Sequence, residues 1–442
     1  MPQRIILLCL STLACLAGCG EERTRPPSTT VAVVNAAPGF ANLSLRRGTT
    51  NQAQLGQVQF PGIFSARVDS DTYNFSVDTQ DSISGLEIFL ADFTAEVDAQ
   101  RQHLFLLAEQ NQMVVPLITS REPIDAAAST WDATIFNAAE NAGNVDVYLT
   151  PPETDLGTAM PAGTLDFGES VLLEALQPGP FVITVTQSGD TASVLFTSTT
   201  TGFVAGNWAT IAIVPDVNGF ADVLSAIVVS ATSSNLTDVN APARTRLLNG
   251  AADGLARDFY VGDDFSAPFA PGVEVAAPSE FLALADGTDK ISVTPAGNAS
   301  VIEAERSGSI APGSLYEAIV AGPAGALEFS IGAENLRRNN LHARIMLMSA
   351  VNYYETLDAW LFPEGTDISQ RPPNWTLTSP IVTERVLFPT DNYELTVQDP
   401  VTDTVVLGPL SLTLEPRGIY SIALVDSGDG TTVNALLLDD FE

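Results

Sequence analysis

The 442-residue sequence predicts an all-β protein made of tandem antiparallel β-sandwich domains of the immunoglobulin-like kind. Three observations lead to this fold class. Short apolar segments with period-2 alternation recur along the chain, and clusters of Gly, Pro, Asn and Asp separate them. No long amphipathic helix is predicted between these segments. The same order of segments occurs four times, at intervals of about 100 residues, which is a common domain size.

Each repeat begins with an apolar segment that leads through a small turn into a second short strand carrying an acidic or polar residue. In the second repeat, residues 133–139 form the first segment and residues 145–149 the second. The other repeats align residues 31–37 with 43–45, 246–251 with 258–261, and 344–350 with 357–361. The equivalent turn positions are aligned as Asn35, Asn137, Asn249 and Met348. This recurrence indicates four copies of one domain.

The middle and the end of each repeat recur as well. Alternation typical of a strand with one buried face is found at residues 73–77, 181–185, 289–293 and 393–397. A hairpin then closes each repeat, with turn residues such as 215–219 in the second repeat and 426–430 in the fourth. About seven short strands per repeat favour a sandwich of two sheets.

These patterns divide the chain into six segments. We predict a signal peptide over residues 1–18, a flexible tether over 19–30 and β-sandwich repeats over 31–125, 126–240, 241–340 and 341–442. Short polar linkers such as residues 232–241 join the repeats. We therefore expect a row of separate domains rather than one large globule, with the tether holding the row off a lipid surface.

The N-terminus resembles a bacterial lipoprotein signal. Arg4 supplies a positive charge, residues 5–16 are apolar but short for a bilayer span, and the small Ala17-Gly18 pair precedes Cys19. The resemblance implies cleavage before Cys19 and attachment of lipid to its sulfur, which anchors the mature chain without crossing the membrane. An ordinary signal peptide cut near Gly18 and an uncleaved anchor helix are the alternatives.

The same resemblance implies a location in the cell envelope. Gly20 stands where many such lipoproteins carry the Asp that retains them at the inner membrane, so an outer-membrane destination is expected. The sequence leaves open whether the protein faces the periplasm or the cell surface. Cys9 and Cys15 lie inside the predicted signal, and the mature chain is therefore expected to form no internal disulfide.

The chain is strongly acidic, with 53 Asp and Glu against 19 Lys and Arg and a formal net charge of −34. A surface with this charge repels phosphate backbones and anionic lipids, which argues against nucleic-acid partners. The closest basic candidates, Arg46-Arg47 and Arg337-Arg338, are isolated pairs. The expected partners are the membrane, through the lipid anchor only, and a protein or a glycan.

Part of the second repeat resembles a known family. Phe167-Gly168, residues 176–185 and the opening segment 137–148 resemble the pattern of the bacterial domain-of-unknown-function family 4397. The other repeats are more divergent, and in the third, residues 286–289 keep the turn but lose the aromatic residue. The resemblance implies tandem β-sandwich units on lipoproteins and secreted surface proteins. It implies no established chemistry.

The sequence predicts no catalytic site and no bound cofactor. Its two histidines, His103 and His342, occupy different places in different repeats, and no nucleophile motif accompanies them. The carboxylates are too numerous to single out a glycosidase pair, and a zinc site needs more His and Cys ligands than the mature chain has. Calcium stays open at the acidic turns 69–71, 216–219, 263–264 and 426–430, although Asp, Asn and Gly also suit turns for backbone reasons.

Aromatic residues are concentrated in the last repeat. The candidate ligand-binding residues are Tyr353, Tyr354, Trp360 and Trp375, because aromatic side chains could form a carbohydrate platform there. Tyr148 and Tyr260 occupy the position equivalent to Trp360, however, and a recurring aromatic residue also suits the core of a sandwich.

Together these observations predict a lipid-anchored cell-envelope protein that acts as a spacer, an adhesion module or a protein-interaction module, without catalysis. The alternative is a glycan- or solute-binding lipoprotein, which a deep apolar pocket with converging polar groups would indicate. An enzyme, the third candidate, would need paired carboxylates that converge in a cleft with a shifted pKa.

Overall fold

The structure is a computed structural model that describes residues 27–48, 54–125, 127–220, 223–230, 233–285 and 287–439. Within these ranges almost all regular structure is β-strand, and one short 3-10 helix covers Glu140–Ala142. The predicted signal peptide and the lipidation candidate Cys19 lie outside the described residues. No helix in the described ranges is long and apolar enough to cross a membrane.

The strands form four consecutive units. Unit 1 contains β1 (Ser28–Ala36), β2 (Asn42–Arg47), β3 (Gln54–Gln59), β4 (Gly62–Asp69), β5 (Asp71–Gln80), β6 (Glu87–Val97), β7 (Gln102–Gln110) and β8 (Met113–Arg121). Unit 2 contains β9 (Trp131–Asn137), β10 (Val145–Thr150), β11 (Gly163–Leu165), β12 (Ser170–Leu176), β13 (Gly179–Gln187), β14 (Asp190–Thr197), β15 (Thr201–Phe203), β16 (Trp208–Pro215), β17 (Leu224–Val229) and β18 (Ser233–Thr237). Because β1 begins at Ser28, the last three residues of the predicted tether 19–30 belong to a strand.

Units 3 and 4 follow the same plan. Unit 3 contains β19 (Arg244–Ala251), β20 (Arg257–Val261), β21 (Ala270–Val273), β22 (Leu282–Ala283), β23 (Lys290–Pro295), β24 (Ala304–Ser307), β25 (Leu315–Gly322) and β26 (Glu328–Glu334). Unit 4 contains β27 (Ala343–Ala350), β28 (Thr356–Pro363), β29 (Trp375–Thr378), β30 (Ile381–Val382), β31 (Val386–Phe388), β32 (Asp391–Asp399), β33 (Thr404–Leu414), β34 (Ile419–Asp426) and β35 (Val433–Asp439).

Every unit has two sheets, and the sheet that contains the first strand of the unit is called the inner sheet. The inner sheets have the orders β4-β1-β7-β8, β12-β9-β16-β17-β18, β22-β19-β25-β26 and β30-β27-β34-β35, with β31 also paired to β27. The outer sheets are β3-β2-β5-β6, β11-β10-β13-β14 with β15 on β13, β21-β20-β23-β24 and β29-β28-β32-β33. The prediction of tandem β-sandwiches is confirmed.

One pairing in each unit departs from the predicted antiparallel arrangement. The first strand runs parallel to a late strand of its unit, β1 to β7, β9 to β16, β19 to β25 and β27 to β34. The other described pairings between named strands are antiparallel. Parallel neighbours cannot be joined by a tight hairpin. In each unit the strands of the outer sheet therefore lie, in the sequence, between the two parallel strands of the inner sheet.

Each unit has its own apolar core between its two sheets. In unit 1, Val33 packs with Phe75 and Phe105, whose ring centroids are 5.1 Å apart in an edge-to-face arrangement. In unit 2, Trp131 stacks on Phe203 with ring centroids 4.1 Å apart. Separate clusters fill units 3 and 4.

A buried asparagine at the end of the first strand explains the recurring Asn-Ala-Ala sequence. The backbone N–H of Ala139 donates to Oδ1 of Asn137 at 3.1 Å, and Nδ2 of Asn137 donates to the Gly143 carbonyl oxygen at 2.9 Å. Asn35 and Asn249 make corresponding contacts in units 1 and 3. The side chain thus satisfies backbone groups of the following turn, which a buried turn requires.

In the fourth repeat the equivalent residue is Ser349, and the alignment to Met348 is wrong. Ser349 lies on the same face of β27 as Leu347, which packs in the core of unit 4. Met348 lies on the opposite face, among residues of unit 3. The alignment is one residue out of register, and such a shift moves a side chain to the other face of a sheet.

The central strands of the inner sheets are buried on both faces. On β1, Val33 points into the core of unit 1, whereas Val34 packs in a second cluster with Phe136 and Ile227 of unit 2. A corresponding cluster joins the inner sheets of units 3 and 4, and its buried members are Leu248, Ile319, Ala321, Met346, Met348, Ala350, Ala423 and Val425. Units 1 and 2 therefore form one pair, and units 3 and 4 form another.

This pairing contradicts the expectation of a row of separate domains. For the first pair, the physical reason lies in β1. The run of residues 31–34 is apolar at every position, so the strand has no polar face to turn toward water. Alternation indicates one buried face, whereas a continuous apolar run indicates burial on both.

Glycine residues allow the backbones of units 3 and 4 to approach closely. A Cβ atom on Gly250 would lie 2.5 Å from the Cβ of Ala350, and one on Gly332 would lie 2.4 Å from Val382. Asn352 adds a polar contact, since its Nδ2 donates to the Gly250 carbonyl oxygen at 2.8 Å.

A cluster of buried charged side chains joins the same two units. Arg246 of unit 3 pairs with Glu317 at 2.5 Å and with Asp439 of unit 4 at 2.8 Å. Arg385 of unit 4 pairs with Glu334 of unit 3 at 2.6 Å. The cluster holds three carboxylates against two guanidinium groups. Burial, with the neighbouring carboxylates, raises the pKa of Glu317 to about 7 in spite of its pairing with Arg246.

This raised pKa predicts a pH dependence of stability. The unfolded chain releases the Glu317 proton near pH 4.5, whereas the folded chain keeps it up to about pH 7. The resulting stabilisation is complete below pH 4.5 and is lost as the pH rises through 7, by about 3 kcal/mol at most. Glu317→Gln should therefore flatten the free energy of unfolding between about pH 4.5 and 7, measured by urea denaturation.

The control is Glu328→Gln, which alters an exposed carboxylate on β26 and should keep the wild-type pH profile. A Glu317→Gln protein that retains the wild-type slope would show that another group carries the pH dependence.

The pairing of the units predicts a large penalty for a charge on the shared face. Met348 is 1% exposed in the cluster between units 3 and 4, whereas Met113 on β8 is 62% exposed. Met348→Asp should lower the free energy of unfolding by about 3 kcal/mol or more, because it buries a carboxylate without a partner. Met113→Asp should change it by less than about 0.5 kcal/mol. Thermal unfolding measures both variants, and equal shifts would contradict the paired arrangement.

Candidate functional site

The two candidate tryptophans of unit 4 lie on opposite faces of its outer sheet. Trp375 is the register partner of Ala359 and shares its core-facing side, where it stacks on Phe388 with centroids 5.7 Å apart. Trp360 follows Ala359 on the strand and therefore faces the other way, where its Nε1 donates to the Arg371 carbonyl oxygen at 2.9 Å. The two indoles do not form one platform.

The candidate tyrosines differ in exposure. The Tyr354 hydroxyl donates to the Thr431 carbonyl oxygen at 2.5 Å, and the ring packs against the core of unit 4. Tyr353 is 38% exposed. Tyr148 and Tyr260, the equivalents of Trp360, are 2% and 3% exposed. At this recurring position the structure thus shows buried packing in three units.

The acidic turns hold their carboxylates with their own donors. Asp429 accepts hydrogen bonds from the Thr432 hydroxyl at 2.6 Å and from the backbone N–H groups of Thr431 and Thr432 at 2.8 and 2.7 Å, and these hold its pKa well below the usual range. Asp264 accepts from the Ser266 N–H at 2.9 Å. In the described ranges, no three His, Cys, Asp or Glu side chains are placed together to hold a metal ion.

The two histidines are buried at separate places. Nε2 of His103 accepts a hydrogen bond from the backbone N–H of Asp98 at 2.9 Å. His342 lies just before β27, and its Nε2 is 3.3 Å from Oδ1 of Asp81 in unit 1. The contact of His342 shows that the chain between units 3 and 4 reaches across to unit 1.

Residues 335–342, called the central linker, join unit 3 to unit 4 and also contact units 1 and 2. The Leu336 N–H donates to the Asn218 carbonyl oxygen of unit 2 at 2.8 Å. The Asn340 N–H donates to the Gly39 carbonyl oxygen of unit 1 at 2.9 Å, and its Nδ2 donates to Glu109 at 2.8 Å. The linker therefore connects the pair of units 1 and 2 with the pair of units 3 and 4.

Two glycines lie against the central linker, where a larger residue would clash with it. A Cβ atom on Gly219 would lie 2.4 Å from the carbonyl carbon of Leu336, and one on Gly39 would lie 2.4 Å from Nδ2 of Asn340. On the far side, Nη1 of Arg338 donates to the carbonyl oxygen of Arg417 in unit 4 at 2.7 Å. Close backbone approach thus fixes where the linker lies.

A cleft of about 520 Å³ opens where the linker meets units 1, 2 and 4. This volume falls in the range of small-molecule sites, about 300–1,000 Å³. Its charged lining residues are Glu109, Glu140, Asp216, Arg337, Arg338 and Arg417. Three arginines in one cleft are notable because the whole chain has only 19 basic residues against 53 acidic ones.

The carboxylates of this cleft are held by donors of the protein itself. Glu109 accepts from the Gly39 N–H at 2.6 Å, and Glu140 accepts from the Asn111 N–H at 2.8 Å. Asp216 accepts from the Phe220 N–H at 3.1 Å, and its burial raises its pKa. These carboxylates are therefore bonded to backbone groups of the protein, and they hold together the segments that line the cleft.

Arg337 differs from the other charged residues of the cleft. Its Cζ lies 4.7 Å from the ring centroid of Phe60 in unit 1. Among the described residues, no carboxylate oxygen lies within 4 Å of its guanidinium group. Burial lowers the pKa of Arg337, although the more distant Glu109 opposes the shift, and an arginine remains protonated at neutral pH. The structure thus presents, at the cleft, a cation that forms no ion pair within 4 Å with a described residue.

The sequence alone identifies Arg337-Arg338 as an isolated basic pair and gives no role to Arg417. Arg338 and Arg417 are 79 residues apart in the chain and meet only through the packing of unit 4 on the linker. The isolated Arg-Arg pair was the one available signal for this site. The aromatic candidates of the sequence lie elsewhere.

Comparisons with known proteins add little. No family model and no curated protein matches the chain. Among solved structures, the chain is similar to the Bacillus anthracis TIE protein, with 9% identity over 90% of this chain and 68% of that chain. The TM-score is 0.14, which is too low for the likeness to support an argument.

The close approach at Gly219 predicts that this residue fixes the linker. Gly219 and Gly189 both have positive φ, 95° and 77°, but a Cβ atom on Gly189 would meet open space. Both alanine variants should lose about 1 kcal/mol to backbone strain, and Gly219→Ala should lose about 1–2 kcal/mol more because it displaces the linker backbone.

Thermal unfolding measures this difference, and hydrogen exchange at the Leu336 amide reports on the linker directly. Equal losses in the two variants, with unchanged exchange at Leu336, would contradict the role assigned to Gly219.

Proposed function

We propose that this protein is a lipid-anchored interaction module of the bacterial cell envelope and performs no catalysis. The observation that carries the proposal is the assembly of four β-sandwiches around the central linker, which creates surfaces shared by several units. Repeated all-β units of this kind suit a binding role. The resemblance to domain-of-unknown-function family 4397 agrees with this role, because that family occurs on lipoproteins and surface proteins.

Interaction or adhesion is a better supported role than spacing. A spacer gains reach when its domains follow one another in a line, whereas the inner sheets here pack face to face in two pairs. Pairing the units makes the molecule shorter than a linear row of the same units, and it buries apolar surface. The arrangement therefore supports a compact body that presents binding surfaces.

The lipid anchor is proposed on Cys19, on the basis of the lipoprotein-like signal that precedes it. The first strand begins at Ser28. The few residues between them span at most about 30 Å when fully extended. An anchored protein would thus carry unit 1 close to the membrane surface.

The anchor predicts a clear effect of one substitution. Cys19→Ser should abolish metabolic labelling with an alkyne analogue of palmitate and move the protein from the detergent phase to the aqueous phase of a Triton X-114 extract. Cys15→Ser, inside the predicted signal, is the matched control and should remain labelled. Labelling that persists in Cys19→Ser would exclude this cysteine as the attachment site.

The interaction role is tested by cross-linking in intact cells followed by mass spectrometry. Lys290 is the only lysine of the chain, so carboxylate-reactive cross-linkers are the suitable reagents. Recurrent cross-links to one envelope partner would support the role. A protein that cross-links only within itself at native abundance would contradict it.

A second candidate function is the binding of a small solute or glycan. The cleft of about 520 Å³ at the central linker favours it, because the cleft combines a size suited to a small molecule with converging polar groups.

A further inference from the structure

We propose that the central cleft binds a small carboxylate-bearing ligand, and that Arg337 contacts the carboxylate. The proposal deepens the second candidate function and rests on it. It assigns a ligand chemistry to a site formed by units 1, 2 and 4 together with the central linker.

The first argument is the unbalanced charge of Arg337. Its guanidinium group donates no hydrogen bond to a described residue, and it lies over the ring of Phe60. An aromatic face offsets only part of the cost of a cation withdrawn from water. By contrast, Arg417 in the same cleft contacts Glu109 and Asn340. Arg337 therefore retains donors for an incoming anion.

The second argument is that the protein does not supply that anion from its own abundant carboxylates. Glu109, Glu140 and Asp216 line the cleft, and each is held by a backbone N–H group at 2.6 to 3.1 Å. Glu109 and Asp216 also accept side-chain bonds, from Asn340 at 2.8 Å and from the Ser225 hydroxyl at 3.2 Å. These contacts fix the carboxylates in the walls.

The third argument concerns the kind of anion. The planar guanidinium fork matches the two oxygens of a carboxylate. The three acidic side chains of the walls would repel a dianion such as phosphate more strongly than a monoanion. Pro38, Pro215 and Phe220 offer apolar surface to the organic part of a ligand. A small organic monoanion fits this combination best.

The carboxylate could belong to an acidic sugar or to the end of a short peptide, and calorimetric titration distinguishes these sources. The full chain, purified in detergent, is titrated with glucuronate and with glucose, its uncharged counterpart. Trialanine and trialanine amide form the second pair, and inorganic phosphate is the fifth probe. We expect one of the two carboxylates to bind and its uncharged counterpart not to bind.

Arg337→Gln should weaken binding of that carboxylate by about 10-fold or more, because it removes a charge-assisted hydrogen bond. Arg371→Gln is the matched control. It removes the same charge from a guanidinium that lies over another phenylalanine, Phe362, at 5.0 Å and is exposed outside the cleft. Its affinity should stay within about twofold of wild type.

Glu140→Gln tests the site in the opposite direction and keeps Arg337 intact. It removes a negative charge from the wall, while the amide oxygen of glutamine still accepts the Asn111 N–H. The carboxylate should bind about two- to fivefold more tightly. This variant tests whether the carboxylate binds in the cleft even if Arg337→Gln does not fold.

Three results would overturn the proposal. They are the absence of any carboxylate that binds better than its uncharged counterpart, tighter binding of phosphate than of either carboxylate, and an affinity that Arg337→Gln and Glu140→Gln both leave unchanged. None of these results bears on the lipid anchor or the envelope partner, which the labelling and cross-linking experiments test separately.

Discussion

The burial of both faces of the central strands in every inner sheet is the constraint on which the remaining structure depends. One face closes the core of its own unit, and the other face needs a second apolar sheet. Side chains such as Val34 and Met348 each contribute about 1.5–3 kcal/mol when they leave water, and the cluster at each interface contains several of them. A single unit would expose this apolar patch, which explains why the units occur in pairs.

The contacts between the two pairs are of a different kind. Within a pair, apolar sheets meet face to face, and in the second pair a buried ion cluster accompanies them. Between the pairs, the described contacts at the central linker are mostly hydrogen bonds, such as Leu336 to Asn218, with the ion pair of Arg417 and Glu109 and the stacking of Arg337 on Phe60. Hydrogen bonds contribute little net free energy each, about 0.5–1.5 kcal/mol. The boundary between the pairs is therefore the weaker one, and the cleft lies along it.

Local patterns predicted the strands and the fourfold repetition, because alternation and turn residues are properties of neighbouring positions. They did not predict the pairing of units, because the apolar run 31–34 indicates burial of both faces but does not show which sheet covers the second one. The alignment of the fourth repeat was wrong by one residue, because Ser349 stands where the other repeats have an asparagine before the turn. The cleft could not be predicted from local patterns, because Arg338 and Arg417, which meet there, are 79 residues apart in the sequence.

The parallel pairing of the first strand of each unit with a late one affects the order in which the chain folds. β1 pairs with β4 first and gains its parallel neighbour only when β7 (Gln102–Gln110) has been synthesised, and the second face of that sheet stays uncovered until β16 and β17 of unit 2 are present. Contacts this distant in sequence form slowly, and an uncovered apolar sheet invites aggregation in the meantime. A polypeptide that ends after an odd number of units would therefore leave one inner sheet with an uncovered apolar face.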